Sequence, residues 1–307
     1  MKNEFSFLSS DGKTIIRGYI WRPEKEVKAV VQLAHGMGEH IGRYEEVAEV
    51  LTSQGYAVIG HSHLGHGRSV LAESERGYFA GKKGWALVLK DMYAVTELGK
   101  ETWPGRPLFL LGYSMGSLFA RRYITVYPGA VQGLILACTG YIPYQWAHLG
   151  GRLVQLICLM KGDHFRSRRL EKIGFRLLGP SKNWGSHRPE VSRAFWEDPY
   201  CSMPITAGAY KDVFRLLKQL AAEKDHGRVP KDLPVLLLSG MKDPLGCGPS
   251  MGVLKVYNRF KAWGLEDVDL ILYKDDRHDL FNEADRADVF RDLLHFMDER
   301  VESHDHS

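Results

Sequence analysis

Short, largely apolar runs alternate in the first 140 residues with stretches whose apolar positions recur at helical spacing. Residues 14–21, 29–34, 56–61 and 107–112 each read as a strand. Between the second and third, Tyr44, Val47, Val50 and Leu51 share one helical face, and Gly55 stands where that helix should end. Residues 60–69 read as a loop and 87–99 as a second helix. Leu118, Ala120, Tyr123 and Ile124 mark a third helix, which stops before Pro128 and is followed by a strand at 133–139. Alternating strand and helix of this kind predict an α/β fold: a mostly parallel central sheet with helices on both faces.

The rhythm breaks after residue 140. Residues 141–229 hold helical or irregular sequence with Trp146, Trp184 and Trp196, several prolines and no run that reads as a buried strand. Strands then return at 234–239 and 268–273, with helices near 253–263 and 286–301. The pattern predicts one core domain built from 1–140 and 230–307, interrupted by a helical cap over 141–229. Within the cap, Leu149, Leu153, Val154, Ile157, Cys158 and Met160 would make a helix apolar around most of its girth. Such a helix is either buried core, or it lines an acyl-chain tunnel or touches a membrane surface. The basic group Arg166, Arg168, Arg169, Lys172 and Arg176 follows directly and would attract anionic headgroups in the second case.

Charge and cysteine usage narrow the function classes. A net charge of +4 over 307 residues, with the basic residues mostly dispersed, does not suggest nucleic acid as a partner. Cys138, Cys158, Cys201 and Cys247 are far apart and read as reduced thiols. No hydrophobic run has the length of a signal peptide or a membrane span, so the expected location is the cytoplasm, with peripheral membrane contact through the cap as the variant. His304 and His306 read as part of a polar tail.

The chemistry centres on Gly112-Tyr113-Ser114-Met115-Gly116, a G-x-S-x-G placed after an apolar strand and before a helix. Lifting a serine hydroxyl out of a sheet needs a turn too sharp for side chains two residues before and two after it. The serine then sits at a helix amino terminus, which favours negative charge. Serine alone is a weak nucleophile, so a base and an orienting acid should follow on loops past later strands, in the order acid, then histidine. His278, after the strand at 268–273, is the candidate base, and Asp243, after the strand at 234–239, the candidate acid. Asp275, Asp276 and Asp279 compete for the acid's role but share the histidine's own short loop. Oxyanion donors are expected from the N–H groups of Met115 and of Met37, the latter in His35-Gly36-Met37-Gly38.

Other readings lead to different chemistry. Gly36, Gly38 and Gly42 resemble a dinucleotide fingerprint, but the last glycine is one residue late and no ribose-binding acid ends the next strand. His61, His63 and His66 have the look of a zinc cluster, though no clear further ligands accompany them. A hydrolase relative that only binds its ligand would not need the full set of serine, acid, histidine and glycine-rich loop. Neither metal nor organic cofactor is required.

Taken together, H-G-M-G-E-H-I-G-R-Y at 35–44, G-H-G-R-S at 65–69, G-Y-S-M-G at 112–116, D-P-Y-C at 198–201 and R-H-D-L-F-N-E at 277–283 resemble the monoacylglycerol lipase and lysophospholipase branch of the α/β-hydrolases. The resemblance covers nearly the whole chain. It implies the α/β-hydrolase fold, a helical cap over the serine, and the catalytic roles of Ser114, Asp243 and His278. Ser62 stands where the family usually has aspartate, and Phe281 where some members have a polar residue that helps hold glycerol. The implied substrate is a small-molecule ester or single-chain lipid, with a small-ester esterase and an aminopeptidase of the same fold as alternatives. Gly36, Glu39 and Arg43 are the candidate substrate-binding residues. For a peptidase Glu39 would meet the free amine, whereas a structural role would pair it with Arg43.

Overall fold

The computed structural model describes residues 1–167, 170, 185–201, 204–245 and 251–305. Eight strands form one sheet: β1 (Lys2–Leu8), β2 (Ile15–Trp21), β3 (Ala29–Ala34), β4 (Tyr56–His61), β5 (Leu108–Tyr113), β6 (Gly133–Ala137), β7 (Val235–Gly240) and β8 (Val268–Tyr273). Their spatial order is β1-β2-β4-β3-β5-β6-β7-β8. β1 and β2 pair antiparallel at one edge and every pair from β4 to β8 is parallel, as the alternating pattern predicts. β3, β4, β5, β6 and β7 are buried along their whole length, which is why they read as continuous apolar runs. Strand β1 was not anticipated. It is an edge strand with no fully buried residue, so it lacks the apolar signal of the others.

Helices cover both faces. α1 (Glu45–Ser53) packs on one face, with Val47, Ala48 and Leu51 buried. α2 (Gly84–Thr102) and α3 (Met115–Val126) pack on the other. Three helices are described between β6 and β7: α4 (Tyr144–Lys161), α5 (Pro189–Glu197) and α6 (Ala207–Ala221). α7 (Met251–Ala262) joins the face of α2 and α3, and α8 (Arg286–Asp305) that of α1. α6 packs against α4 on one side and against α2 and α3 on the other.

The apolar helix expected over 148–161 exists as part of α4, but its faces divide. Ala147, Val154 and Cys158 are buried, while Trp146, Leu149, Leu153, Leu156 and Met160 are exposed at a spacing of three and four residues. Of the basic group, Arg166 donates to the carbonyls of Ser74, Arg76 and Pro204 and so braces loops. Arg168, Arg169, Lys172 and Arg176 lie outside the described residues, as do Trp184, Cys247 and His306. Cys138, Cys158 and Cys201 are buried free thiols.

Candidate active site

Parallel strands bring their carboxyl ends to one edge of the sheet, and the predicted chemistry gathers there. β3 and β5 are neighbours, so the loop bearing Met37 lies beside the turn bearing Ser114. β7 and β8 are neighbours, so the loops bearing Asp243 and His278 meet. β6 stands between the two pairs, and the segment with α4, α5 and α6 leaves from its end.

Ser114 has φ 52° and ψ −117°, a conformation that costs a non-glycine residue about 1–3 kcal/mol and is kept only where the surroundings enforce it. Here the enforcement is close packing. A Cβ on Gly116 would lie 2.0 Å from the Ala34 carbonyl oxygen, and one on Gly112 2.6 Å from that of Gly116. Gly116→Ala should therefore destabilise the protein by about 3 kcal/mol and lower its thermal midpoint by roughly 10 °C. Calorimetry of the variant checks this, and an unchanged midpoint would mean that the turn relaxes freely.

Ser114 Oγ is 2.7 Å from His278 Nε2, and His278 Nδ1 is 2.9 Å from Asp243 Oδ2. A carboxylate only accepts, so Nδ1 carries the proton and Nε2 is left to accept from the serine hydroxyl. Asp243 Oδ1 accepts from the Leu245 N–H at 2.9 Å, and the Tyr113 hydroxyl donates to the His278 carbonyl at 3.0 Å. Burial alone would push the His278 imidazole down. The charge and hydrogen bond of Asp243 outweigh it, with Asp279 and Glu39 adding to them, and the net shift is upward from 6.5. Two of the three rival acids are engaged elsewhere: Asp275 pairs with Lys242 at 2.7 Å and Asp279 with Arg43 at 3.1 Å. Asp276 is buried with Oδ2 unpartnered, and burial pushes its carboxyl up to about 6.

A cavity of about 60 Å³ opens on Ser114 and His278, lined also by Gly36, Met37, Glu39, Arg43, Tyr113 and Asp279, and by Val191, Phe195 and Trp196 of α5. Met115 begins α3, so its N–H has no acceptor within the helix. Glu39 is fully engaged: it accepts from the Gly36 N–H at 2.6 Å and the Tyr44 hydroxyl at 2.7 Å, and it pairs with Arg43. The Arg43 guanidinium bridges Glu39 and Asp279 and lies 5.0 Å from the Phe195 ring centre. Sequence reasoning missed Asp279 as a partner of Arg43, and the α5 side chains. The first could have been suspected from Arg43 needing a second acid, but nothing in the sequence places α5.

The histidines suspected of binding zinc are buried with His35 as a packed group. Ring centres lie 4.2 Å apart for His35 and His63 and 5.1 Å apart for His61 and His63. They do not bring three donor atoms within 4.8 Å of one another. His40, Asp198 and Cys201 do, but there His40 Nε2 already meets Asp198 Oδ2 at 2.9 Å.

Comparison with known proteins sets this geometry in a family. Residues 25–285 match the Hydrolase_4 family, described as serine aminopeptidase, S33. The chain is 28% identical to the monoacylglycerol lipase of Mycolicibacterium smegmatis over 299 residues, which are 96% of this chain and 97% of that protein. It is 35% identical to the human monoglyceride lipase over 129 residues, 42% of this chain and only 40% of the relative. A thermostable carboxyl esterase from Bacillus coagulans, solved in complex with glycerol, superposes with a TM-score of 0.88 at 26% identity, covering 98% of this chain and 99% of that one. With an eight-stranded, mostly parallel sheet of α/β-hydrolase type and a family match over residues 25–285, the chain belongs to the Hydrolase_4 family of α/β-hydrolases.

Proposed function

We propose that the chain is a serine-dependent carboxylic ester hydrolase acting on esters with a single long acyl chain, of the monoacylglycerol or lysophospholipid type. The observation that carries the reading is the unbroken line from Ser114 Oγ through both ring nitrogens of His278 to Asp243. Ser114 attacks the ester carbonyl as His278 takes its proton, and Asp243 holds the ring and stabilises the imidazolium. The same histidine returns the proton to the leaving alcohol and then activates the water that frees the acid. The N–H groups of Met37 and Met115 receive the oxyanion, and among the described residues neither donates elsewhere. In this reading 1–140 and 230–307 form the catalytic core, and 141–229 the cap.

The lipid class rests on the relatives, two of which are named as monoacylglycerol or monoglyceride lipases, and on the apolar side chains of α5 at the cavity. The cavity's 60 Å³ is room for about two water-sized groups, less than a long acyl chain needs. α5 has no fully buried residue to hold it in place. No described helix is long and apolar enough to cross a membrane. Contact with a lipid surface would use the exposed face of α4. None of its side chains lines the cavity at Ser114.

The test is kcat/KM for monoacyl esters of increasing chain length, where each buried methylene should add up to about 0.8 kcal/mol, roughly fourfold, until the site is full. A maximum at acetate or butyrate would leave a small-ester esterase. The family description keeps an aminopeptidase in play. Binding a free amine needs an uncommitted carboxylate, and both Glu39 and Asp279 are held by Arg43. Aryl esters should therefore be cleaved faster than amino-acid anilides, and the reverse order would favour the peptidase.

A further inference from the structure

The chain's 41 lysines and arginines nearly balance its 37 acidic residues, and many described cations sit beside a carboxylate. One concave surface departs from that pattern. A cleft of about 640 Å³, where residues 81–83 meet the start of α4 and the last turns of α6, is lined by Lys82, Lys83, Arg215, Lys218 and Lys224. Among the described residues no carboxylate lines it, and only Arg215 has an acidic partner, Asp212 at 3.5 Å. Two of the lysines are adjacent in the chain and exposed. They fill the two-residue loop between Gly81 and Gly84, with Lys83 at φ 52° and the Gly84 N–H held by Asp212 Oδ2 at 3.0 Å. Lys218 is steadied by Tyr144, its Nζ 5.6 Å from the ring centre.

Solvated lysines are ordinary on a surface, but convergence of five cations on one acid-free concavity is the signature of a site for a multiply charged anion. Four of the five are lysines, compact point charges that suit a many-oxygen phosphate better than a single planar carboxylate, for which the arginine fork is the usual partner. A fatty-acid product, with one charge, would engage only a fraction of them. We propose that this cleft binds a phosphate-bearing group, either the headgroup of an anionic phospholipid or a soluble phosphorylated compound. It shares no lining residue with the cavity at Ser114, so it is a second site.

The full-length protein and its K82Q/K83Q/K218Q variant test this with two probes. Inorganic pyrophosphate is titrated by calorimetry. Co-sedimentation then compares phosphatidylcholine vesicles with and without phosphatidic acid. Each lysine near a bound anion should contribute about fivefold in affinity, so the triple variant should bind at least one probe about a hundredfold more weakly. Hydrolysis of a soluble aryl ester should be unchanged. Binding of pyrophosphate by itself assigns a soluble ligand, and a phosphatidic-acid increment without pyrophosphate binding assigns the headgroup. Binding of neutral vesicles through α4 leaves that increment unaffected. Absence of saturable binding to either probe, or equal binding by wild type and variant, overturns the proposal.

Discussion

Replacing Ser114 with alanine should reduce ester turnover by roughly ten-thousandfold to a millionfold, because the hydroxyl, the imidazole and the carboxylate act as one unit. Alanine keeps the Cβ that Ser114 already carries at φ 52°, so no new strain enters and only the 2.7 Å hydrogen bond to His278 is lost. The thermal midpoint should shift by no more than a few degrees, in line with about 1 kcal/mol for one hydrogen bond. Asp243→Asn should cost about ten-thousandfold, since an amide can present its N–H to Nδ1 and force the proton onto Nε2, where the serine needs an acceptor. A fluorophosphonate probe reads the same activation without knowledge of the substrate: labelling at Ser114 should disappear in His278→Ala. The acid limb supplies a further check. The His278 imidazole is raised above its ordinary range and works only when neutral, so kcat/KM should fall as pH drops through a midpoint above 6.5. Near wild-type turnover in Ser114→Ala would remove the serine mechanism altogether.

Much of this arrangement was legible because the parallel sheet converts chain order into spatial order. Loops after buried strands must collect at one edge, so strand positions together with the G-x-S-x-G and H-G-M-G motifs were enough to gather Ser114, Asp243, His278 and Met37. The strands at 29–34, 56–61 and 268–273 coincide with β3, β4 and β8 for the same reason, as sharp apolar runs bounded by polar residues. What the sequence withheld depends on packing between distant segments. Phe195 and Trp196 belong to a helix whose position follows from no periodic signal, and Asp279 meets Arg43 across 236 residues. The division of α4 into a packed and an exposed face was invisible for a related reason. The apolar residues Ala147, Val154 and Cys158 look no more buried in sequence than Leu149, Leu153 and Leu156 until α6 is known to pack on this helix.

The buried histidines carry the second large expectation, a steep loss of stability in mild acid. Burial holds His61 down to about 3 and His66 to about 4, and together with mutual repulsion it keeps His35 and His63 well below 6.5. In the unfolded chain each titrates near its ordinary value of about 6.5. Groups depressed in the fold stabilise it fully above the unfolded pKa, and that contribution is lost as pH falls toward the folded one. All four make the unfolded state bind more protons than the native state as pH falls below 6.5. Three carboxyls oppose them. Burial raises Asp212 and Asp276 to about 6, so the native state gains protons there first, and Asp91 shifts the same way. The four histidines outnumber the opposing carboxyls, so stability should fall as pH drops below 6.5, by on the order of 1 kcal/mol per pH unit for each proton in excess. Urea midpoints measured from pH 7 to pH 5 should fall accordingly. His61→Phe isolates one member, because neither His61 ring nitrogen has a partner among the described residues and Phe7 already packs 6.3 Å from its ring centre. The variant should match wild type near pH 7 and lose about 1 kcal/mol less per pH unit below 6. Midpoints that stay level from pH 7 to pH 5 in both proteins would show that the histidine group charges without disrupting the fold.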